Sequence, residues 1–290
     1  MNARIARHLA VTLALAAAAP AIAADPPPAG GIADLAGPRG LALEGAVGVA
    51  SGSDGIFCNP GAPAARKRYT LESLLSIDRR GGTTVGKYLG GSVVDALSSP
   101  VAVSFAYVRA LEGLQTGNLI VGGLSGPVGD KVYLGAQARY LKLGGAESVN
   151  AVTADAGLLW EVADYLTVGV AGYNLVPSGH ELAAPRGVGA GLAIGSDTSV
   201  KLTADWRADF DRLGKTTNRY GAGLEVLLGN LMPLRAGWMK DETLDTSWWS
   251  AGAGLVSANG VGLDLGYKQS LKTPDARVVS AAIRVQLLDL

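Results

Sequence analysis

The run Thr198-Ser199-Val200-Lys201-Leu202-Thr203-Ala204-Asp205-Trp206-Arg207-Ala208-Asp209-Phe210 decides the fold. Val200, Leu202, Ala204, Trp206, Ala208 and Phe210 are apolar, and Lys201, Thr203, Asp205, Arg207 and Asp209 between them are polar. A strand sends successive side chains to opposite faces, so this run has one greasy face and one charged face. It is long for a globular strand and long enough to cross a bilayer at a tilt.

The same alternation returns along the chain. Val152, Ala154, Ala156, Leu158 and Trp160 oppose Thr153, Asp155 and Glu161. Val132, Leu134, Ala136 and Ala138 oppose Lys131, Gln137 and Arg139. Tyr220, Ala222, Leu224 and Val226 oppose Arg219 and Glu225, and Val261, Leu263, Leu265 and Tyr267 oppose Asp264 and Lys268. Val279, Ala281, Ile283, Val285 and Leu287 face away from Ser280, Arg284 and Gln286. Strands are expected over 67–78, 84–95, 100–111, 117–127, 131–143, 150–162, 165–175, 186–195, 198–210, 217–228, 231–240, 246–257, 260–270 and 277–288. The even number, the strand length and the short connections predict an all-β fold, a transmembrane antiparallel β-barrel of about fourteen strands. Its apolar face would meet lipid and its charges would line the lumen; in a soluble sandwich the same stripes would point inward. Trp160, Trp206, Trp238, Trp249, Tyr220 and Tyr267 fall on the outward stripe, where interfacial aromatic belts are found.

The chain opens as an export signal would. Arg4, Arg7 and His8 precede an apolar run over 9–19, and Ala21-Ile22-Ala23 fits the small-x-small cleavage rule. The expected organisation is a signal peptide over 1–23, a lead-in and plug over 24–66, and the barrel over 67–290. Export plus a barrel places the chain in the outer membrane of a Gram-negative bacterium, with outer-membrane lipid as its surroundings. Residues 25–32 are rich in Pro, Gly and Ala, and 41–50 are mostly apolar, which suits a short helix or a folded-in plug.

Composition narrows the function. Of 290 residues, 48% are hydrophobic and 41 are glycine, yet charged residues interrupt every long apolar region after the first. Alternating strands with Gly and Ala at crowded positions reconcile these facts. A formal net charge of zero gives no global pull toward nucleic acid. Cys58 stands alone, so no internal disulfide framework exists, and it reads as a small buried residue in a turn.

Nothing in the sequence assembles into an enzyme. After the signal only His180 remains, in a loop, and no Cys/His spacing suits a metal. The stretch 124–131 lacks the Gly-Lys-Ser/Thr end of a phosphate loop, and Pro127-Val128-Gly129-Asp130 reads as a hairpin turn. Gly187, Gly189 and Gly191 alternate on one strand face, where another backbone or side chain must approach closely. No cofactor is implied. The lumen-facing candidates are Lys201, Asp205, Arg207, Asp209, Glu225, Asp264, Lys268 and Arg284; their alternating signs suit a balanced, hydrogen-bonded interior.

Ahead of the first strand, Arg39-Gly40-Leu41-Ala42-Leu43-Glu44-Gly45-Ala46 followed by Asn59-Pro60-Gly61 resembles the opening of FadL-type outer-membrane transport proteins, including the PorV/PorQ group. Gly172-Tyr173-Asn174-Leu175, the stretch 233–238 and the stretch 260–267 are similar to recurrent strand segments of that superfamily. Ala42 and Glu44 stand where glycines are usual, Gly61-Ala62-Pro63 replaces Ala-Gly-Leu, and Leu290 replaces a terminal aromatic. The resemblance implies a fourteen-stranded barrel whose plug is marked by Arg39, Gly40, Leu41, Glu44, Gly45, Ala46, Asn59 and Pro60. It also implies passive passage of small, hydrophobic molecules. A PorV-like role with a secreted or surface protein as partner, or a closed structural barrel, are the alternatives.

Overall fold

The structure is a computed structural model that describes residues 31–49, 52–145, 148–212 and 214–287. The signal peptide, Ala50 and the chain end at Leu290 lie outside the described residues.

Fourteen strands follow one another: β1 Tyr69–Arg80, β2 Thr83–Asp95, β3 Ala102–Gly113, β4 Gln115–Pro127, β5 Val132–Gly145, β6 Val149–Ala163 and β7 Leu166–Tyr173. Then come β8 Gly187–Gly195, β9 Val200–Asp209, β10 Thr217–Leu228, β11 Met232–Asp241, β12 Thr246–Val256, β13 Val261–Ser270 and β14 Arg277–Leu287. Each pairs antiparallel with its sequence neighbour, and β1 pairs with β14, so the sheet closes on itself. Closure leaves no strand edge, which a sheet in hydrocarbon requires because no water is there to satisfy free N–H and C=O groups.

The alternation expected from the sequence is the alternation of the wall. On β9, Lys201, Thr203 and Asp209 are buried, while Leu202 is 53% and Trp206 39% exposed. Trp160, Trp238, Trp249 and Tyr220 are also exposed on the outer face. Trp249 and Tyr267 pack ring to ring at 5.3 Å between centroids. The rim where β1 begins, here the near rim, carries the connections 96–101, 128–131, 164–165, 196–199, 229–231 and 257–260. The opposite, far rim carries 81–82, 114, 242–245, 271–276, the ends of β5 and β9, and the long connection 174–186.

Ahead of β1 come two short helices, α1 Pro38–Leu43 and α2 Ser53–Cys58, and two 3-10 turns, Ile32–Asp34 and Ala62–Ala65. Pro38 opens α1 at a position with no intrahelical N–H partner. Glu44 closes it in the left-handed region at φ 51°, donating its N–H to the Gly40 carbonyl. Cys58, expected in a turn, is instead the last residue of α2.

Candidate functional site

The N-terminal segment lies inside the barrel. α1 packs against β10 through β14, α2 against β1 through β3, and the turn Ala62–Ala65 against β3 through β6. Leu41, Ala42, Leu43, Ile56, Ala62 and Ala64 are all buried. A track of inward glycines makes room for its main chain. A Cβ at Gly266 would meet the Pro38 carbonyl, at Gly237 the Ala42 carbonyl, and at Gly221 the Glu44 carbonyl. At Gly169 it would meet the Val47 carbonyl, and at Gly135 the Pro60 carbonyl. Four of these have another glycine as direct cross-strand partner: Gly135 with Gly157, Gly169 with Gly191, Gly223 with Gly237, and Gly252 with Gly266. The backbone thus lies directly on the sheet, at a separation any side chain would prevent. Gly191 meets Gly48 in the same way.

Charged side chains fasten the segment to the wall. Arg39 Nη2 lies 2.6 Å from Glu225 Oε1. From there the signs alternate around the wall. Glu225 accepts from Arg235 Nε at 2.5 Å, Arg235 Nη1 donates to Asp264 at 2.6 Å, and Asp264 sits 3.6 Å from Arg284. Arg284 Nε then donates to Glu72 at 2.7 Å, and Glu72 also accepts from the Ser53 hydroxyl. In the other direction Arg39 lies 3.8 Å from Asp197, which pairs with Lys201 and with Arg66, and Arg66 reaches Glu161. Buried charges are tolerated only when paired in this way.

Toward the far rim a second cluster holds the first 3-10 turn. Asp34 sits 2.5 Å from Arg212, 3.3 Å from Arg207 and 3.5 Å from Arg219, and Asp209 pairs with the same three guanidiniums. Burial alone would raise the Asp34 carboxyl; the three guanidiniums reverse this and hold it well below the usual carboxylate range. Lys268 donates to Glu44 at 2.8 Å and lies 5.0 Å from the buried Trp248 ring. Burial nevertheless leaves the Glu44 carboxyl above its ordinary value, because Lys268 offsets only part of the desolvation.

Two polar side chains hold the segment's turns. Asp205 Oδ2 accepts the Val47 N–H at 2.8 Å. Asn59 Nδ2 donates to the carbonyls of Val47, at 2.7 Å, and of Leu158, at 3.0 Å, while its Oδ1 accepts from Gly61. Pro60 fills the hollow over Gly135 and Gly157. Gly40 packs near Cys58, Gly45 over Asp205, and Ala46 into a small cluster with Val49 and Ala193.

The lumen has two chemistries. The inner faces of β3 to β6 toward the far rim are apolar, with Val108, Leu119, Val121 and Leu141 capped by Ile32, Leu35 and Ile56. Most of the ion pairs lie on β8 to β14. Between the segment and the wall is a cavity of about 230 Å³, lined by Leu35, Leu41, Phe57, Tyr88, Met239 and Trp248 and by Arg207, Arg212 and Arg219. A polar hollow of about 320 Å³ lies at the near rim among Arg66, Lys131, Glu161 and Asp197. Cys58 faces the first cavity, and burial pushes its thiol up, which keeps it a poor nucleophile. His180 is in the 174–186 connection, its N–H on the Ser178 hydroxyl. Among the described residues no cluster of His, Cys, Asp and Glu is placed to hold a metal ion.

Each of the eight candidate lumen residues thus contacts the segment or another charged group. Sequence reasoning missed Asp34, Ser53, Glu72, Arg212 and Arg235. Arg235 was findable: Leu234-Arg235-Ala236 alternates as β9 does. Asp34 sits in a Gly/Pro/Ala stretch with no period to mark it.

No protein-family model matches the chain, and no curated protein matches it. Solved structures do. A FadL homologue from Pseudomonas aeruginosa superposes with a TM-score of 0.60 at 14% identity, covering 87% of this chain and 97% of that one. The toluene transporter TodX of Pseudomonas putida gives 0.56 at 12% identity, covering 87% and 97%. The Acinetobacter baumannii outer membrane protein Omp33 gives 0.51 at 11%, covering 77% and 100%. At such identities the likeness is one of fold: the chain shares the closed barrel of these solved structures.

Proposed function

We propose that the chain is a passive channel for small, hydrophobic molecules in the outer membrane of a Gram-negative bacterium, with the segment ahead of β1 as its plug. The observation that carries this reading is the cavity of about 230 Å³ between segment and wall, apolar along Leu35, Leu41, Phe57 and Trp248. It is smaller than the ~300–1,000 Å³ of drug-sized sites, which suits a molecule of about one ring. The toluene transporter among the fold neighbours supports the same substrate class. The export-like start at 4–23 and the outward apolar stripe support the location.

A closed structural barrel is the second reading. It is favoured by the ion pairs that fasten the segment on both sides, Arg39 to Glu225 and Asp34 to Arg212. Vesicles separate the two. The mature chain is reconstituted beside a form lacking residues 39–50, and uptake of toluene and of a small sugar is followed. The channel reading expects toluene entry through the intact chain and faster sugar leakage through the deletion. An intact chain that passes no toluene, with a deletion that leaks no sugar, overturns it and leaves the closed barrel.

A further inference from the structure

The outer face carries a feature that a channel does not need. Toward the far rim, on five of six neighbouring strands, the residue one pleat beyond the apolar and aromatic band is basic; β4 carries Asn118 there. Arg79 follows Ile77 on β1, Arg109 follows Tyr107 on β3, and Lys142 follows Tyr140 on β5. On the strands running the other way, Lys87 precedes Leu89 on β2 and Arg277 precedes Val279 on β14. All point outward, because their strand neighbours point in: Asp78, Arg80 and Val278 line the lumen cavity, and Val108, Ala110, Leu141 and Leu143 are buried. At the near-rim ends of the same strands the outward residues are Leu71, Val103, Leu134 and Leu287.

Among the described residues these cations have no carboxylate partner. Arg79 and Arg277 are direct cross-strand neighbours, an arrangement of like charges that destabilises a sheet unless an anion joins them. Arg79 donates to the Gly82 carbonyl at 2.8 Å, and its Nε is buried without a hydrogen bond. Arg109 donates to Asn118 Oδ1 at 3.0 Å. Among the described residues the side chains of Lys87, Lys142 and Arg277 make no hydrogen bond or ion pair. Among the described residues the nearby acids are Glu112, opposite Lys87, and Asp275, two residues before Arg277; neither forms an ion pair with the row.

We propose that Arg277, Arg79, Lys87, Arg109 and Lys142 form a binding surface for phosphate-bearing lipid headgroups in the leaflet at the far rim. The row crosses six neighbouring strands, about 24 Å at the usual interstrand spacing, enough for more than one headgroup. Guanidinium pairs match phosphate oxygens in a fork, and ammonium groups add point charges. The aromatic level just inside the row, Tyr107 and Tyr140, is where side chains sit at headgroup depth. A lipid is favoured over a free anion because Leu89, Phe105 and Val279, exposed below the row, would hold its acyl chains.

The inference rests on the membrane placement proposed above, so insertion is scored first, by heat-modifiable migration, and lipid binding only on inserted protein. Purified mature chain is titrated with phosphatidylglycerol, phosphatidylcholine or inorganic phosphate and its adducts are counted by native mass spectrometry. Phosphatidylglycerol is expected to bind about tenfold more tightly than phosphatidylcholine, and R79Q/R277Q to lose about tenfold. K131Q at the near rim should keep wild-type binding, and inorganic phosphate should not displace the lipid. If R79Q/R277Q does not fold, R109Q/K142Q is read in its place and should show the same loss. Unchanged binding in the readable double variant, equal binding of the two lipids, or displacement by inorganic phosphate overturns the proposal.

Discussion

The guanidinium of Arg39 grips the carboxylate of Glu225 at two points, Nη2 to Oε1 at 2.6 Å and Nε to Oε2 at 2.9 Å, across 186 residues of sequence. One partner belongs to α1 and the other to β10, so the contact joins the inner segment to the wall. Arg39→Gln leaves Glu225 with Arg235 alone. Removing one member of a buried pair costs about 3–5 kcal/mol, and the remaining Arg235 bond should keep the loss at the low end. Because the strands keep their own ladder, the segment should loosen before the barrel unfolds. Protease nicking within residues 32–66 at unchanged heat-modifiability is the expected result; wild-type resistance would show that Arg39 does not hold the segment.

Gly221 offers a test that involves no charge. A Cβ there would collide with the Glu44 carbonyl, whereas at Gly122, on the outer face of β4, it would meet nothing within 4 Å. Gly221→Val should cost about 1–3 kcal/mol through overpacking and push α1 off the wall. Gly122→Val should be silent. Single-channel current separates them: larger or noisier for the first, wild type for the second. Equal traces would mean that the glycine track does not seat α1.

These contacts mark where the sequence was legible. Strand positions follow from period-two alternation, which is local, so β9 could be read from 198–210 alone and β14 from 277–288. Alternation also put Arg207, Glu225 and Asp264 on the inner face. It assigned no face on β3, where Ala102, Ala106 and Val108 face in while Val103 and Phe105 face out, because both faces read as apolar. The pairing of Arg39 with Glu225 is a long-range consequence of closure that no local pattern encodes. Asp34 was invisible because a 3-10 turn of three residues has no period.

Asp34 predicts how the segment responds to acid. Its carboxyl is depressed by Arg212, Arg219 and Arg207 despite burial. A depressed acid contributes stability that is present above the ordinary carboxylate range and is lost only as pH falls through the lower folded value. The Asp34 tie should therefore hold from pH 7 down to about pH 4 and loosen below about pH 3. Asp34→Asn removes that contribution at every pH, so its conductance should be raised at pH 7 and should change less on acidification. A wild-type increase already complete by about pH 5 would show that another group controls the segment.

The last test separates the two faces of β9. Ala204 is exposed on the outer face midway along the strand, while its neighbour Asp205 holds the Val47 N–H inside. Arginine at position 204 would have to enter hydrocarbon, at a cost of about 2–4 kcal/mol near the bilayer midplane. Asp205→Asn keeps an oxygen acceptor for Val47 and adds no charge to lipid, so its cost should fall within the ~0.5–1.5 kcal/mol of a single hydrogen bond. Folding into vesicles from urea, followed by gel migration, ranks the two. Ala204→Arg should shift the midpoint clearly and Asp205→Asn little. Equal shifts would mean that the apolar stripe through Leu202, Ala204 and Trp206 does not meet lipid.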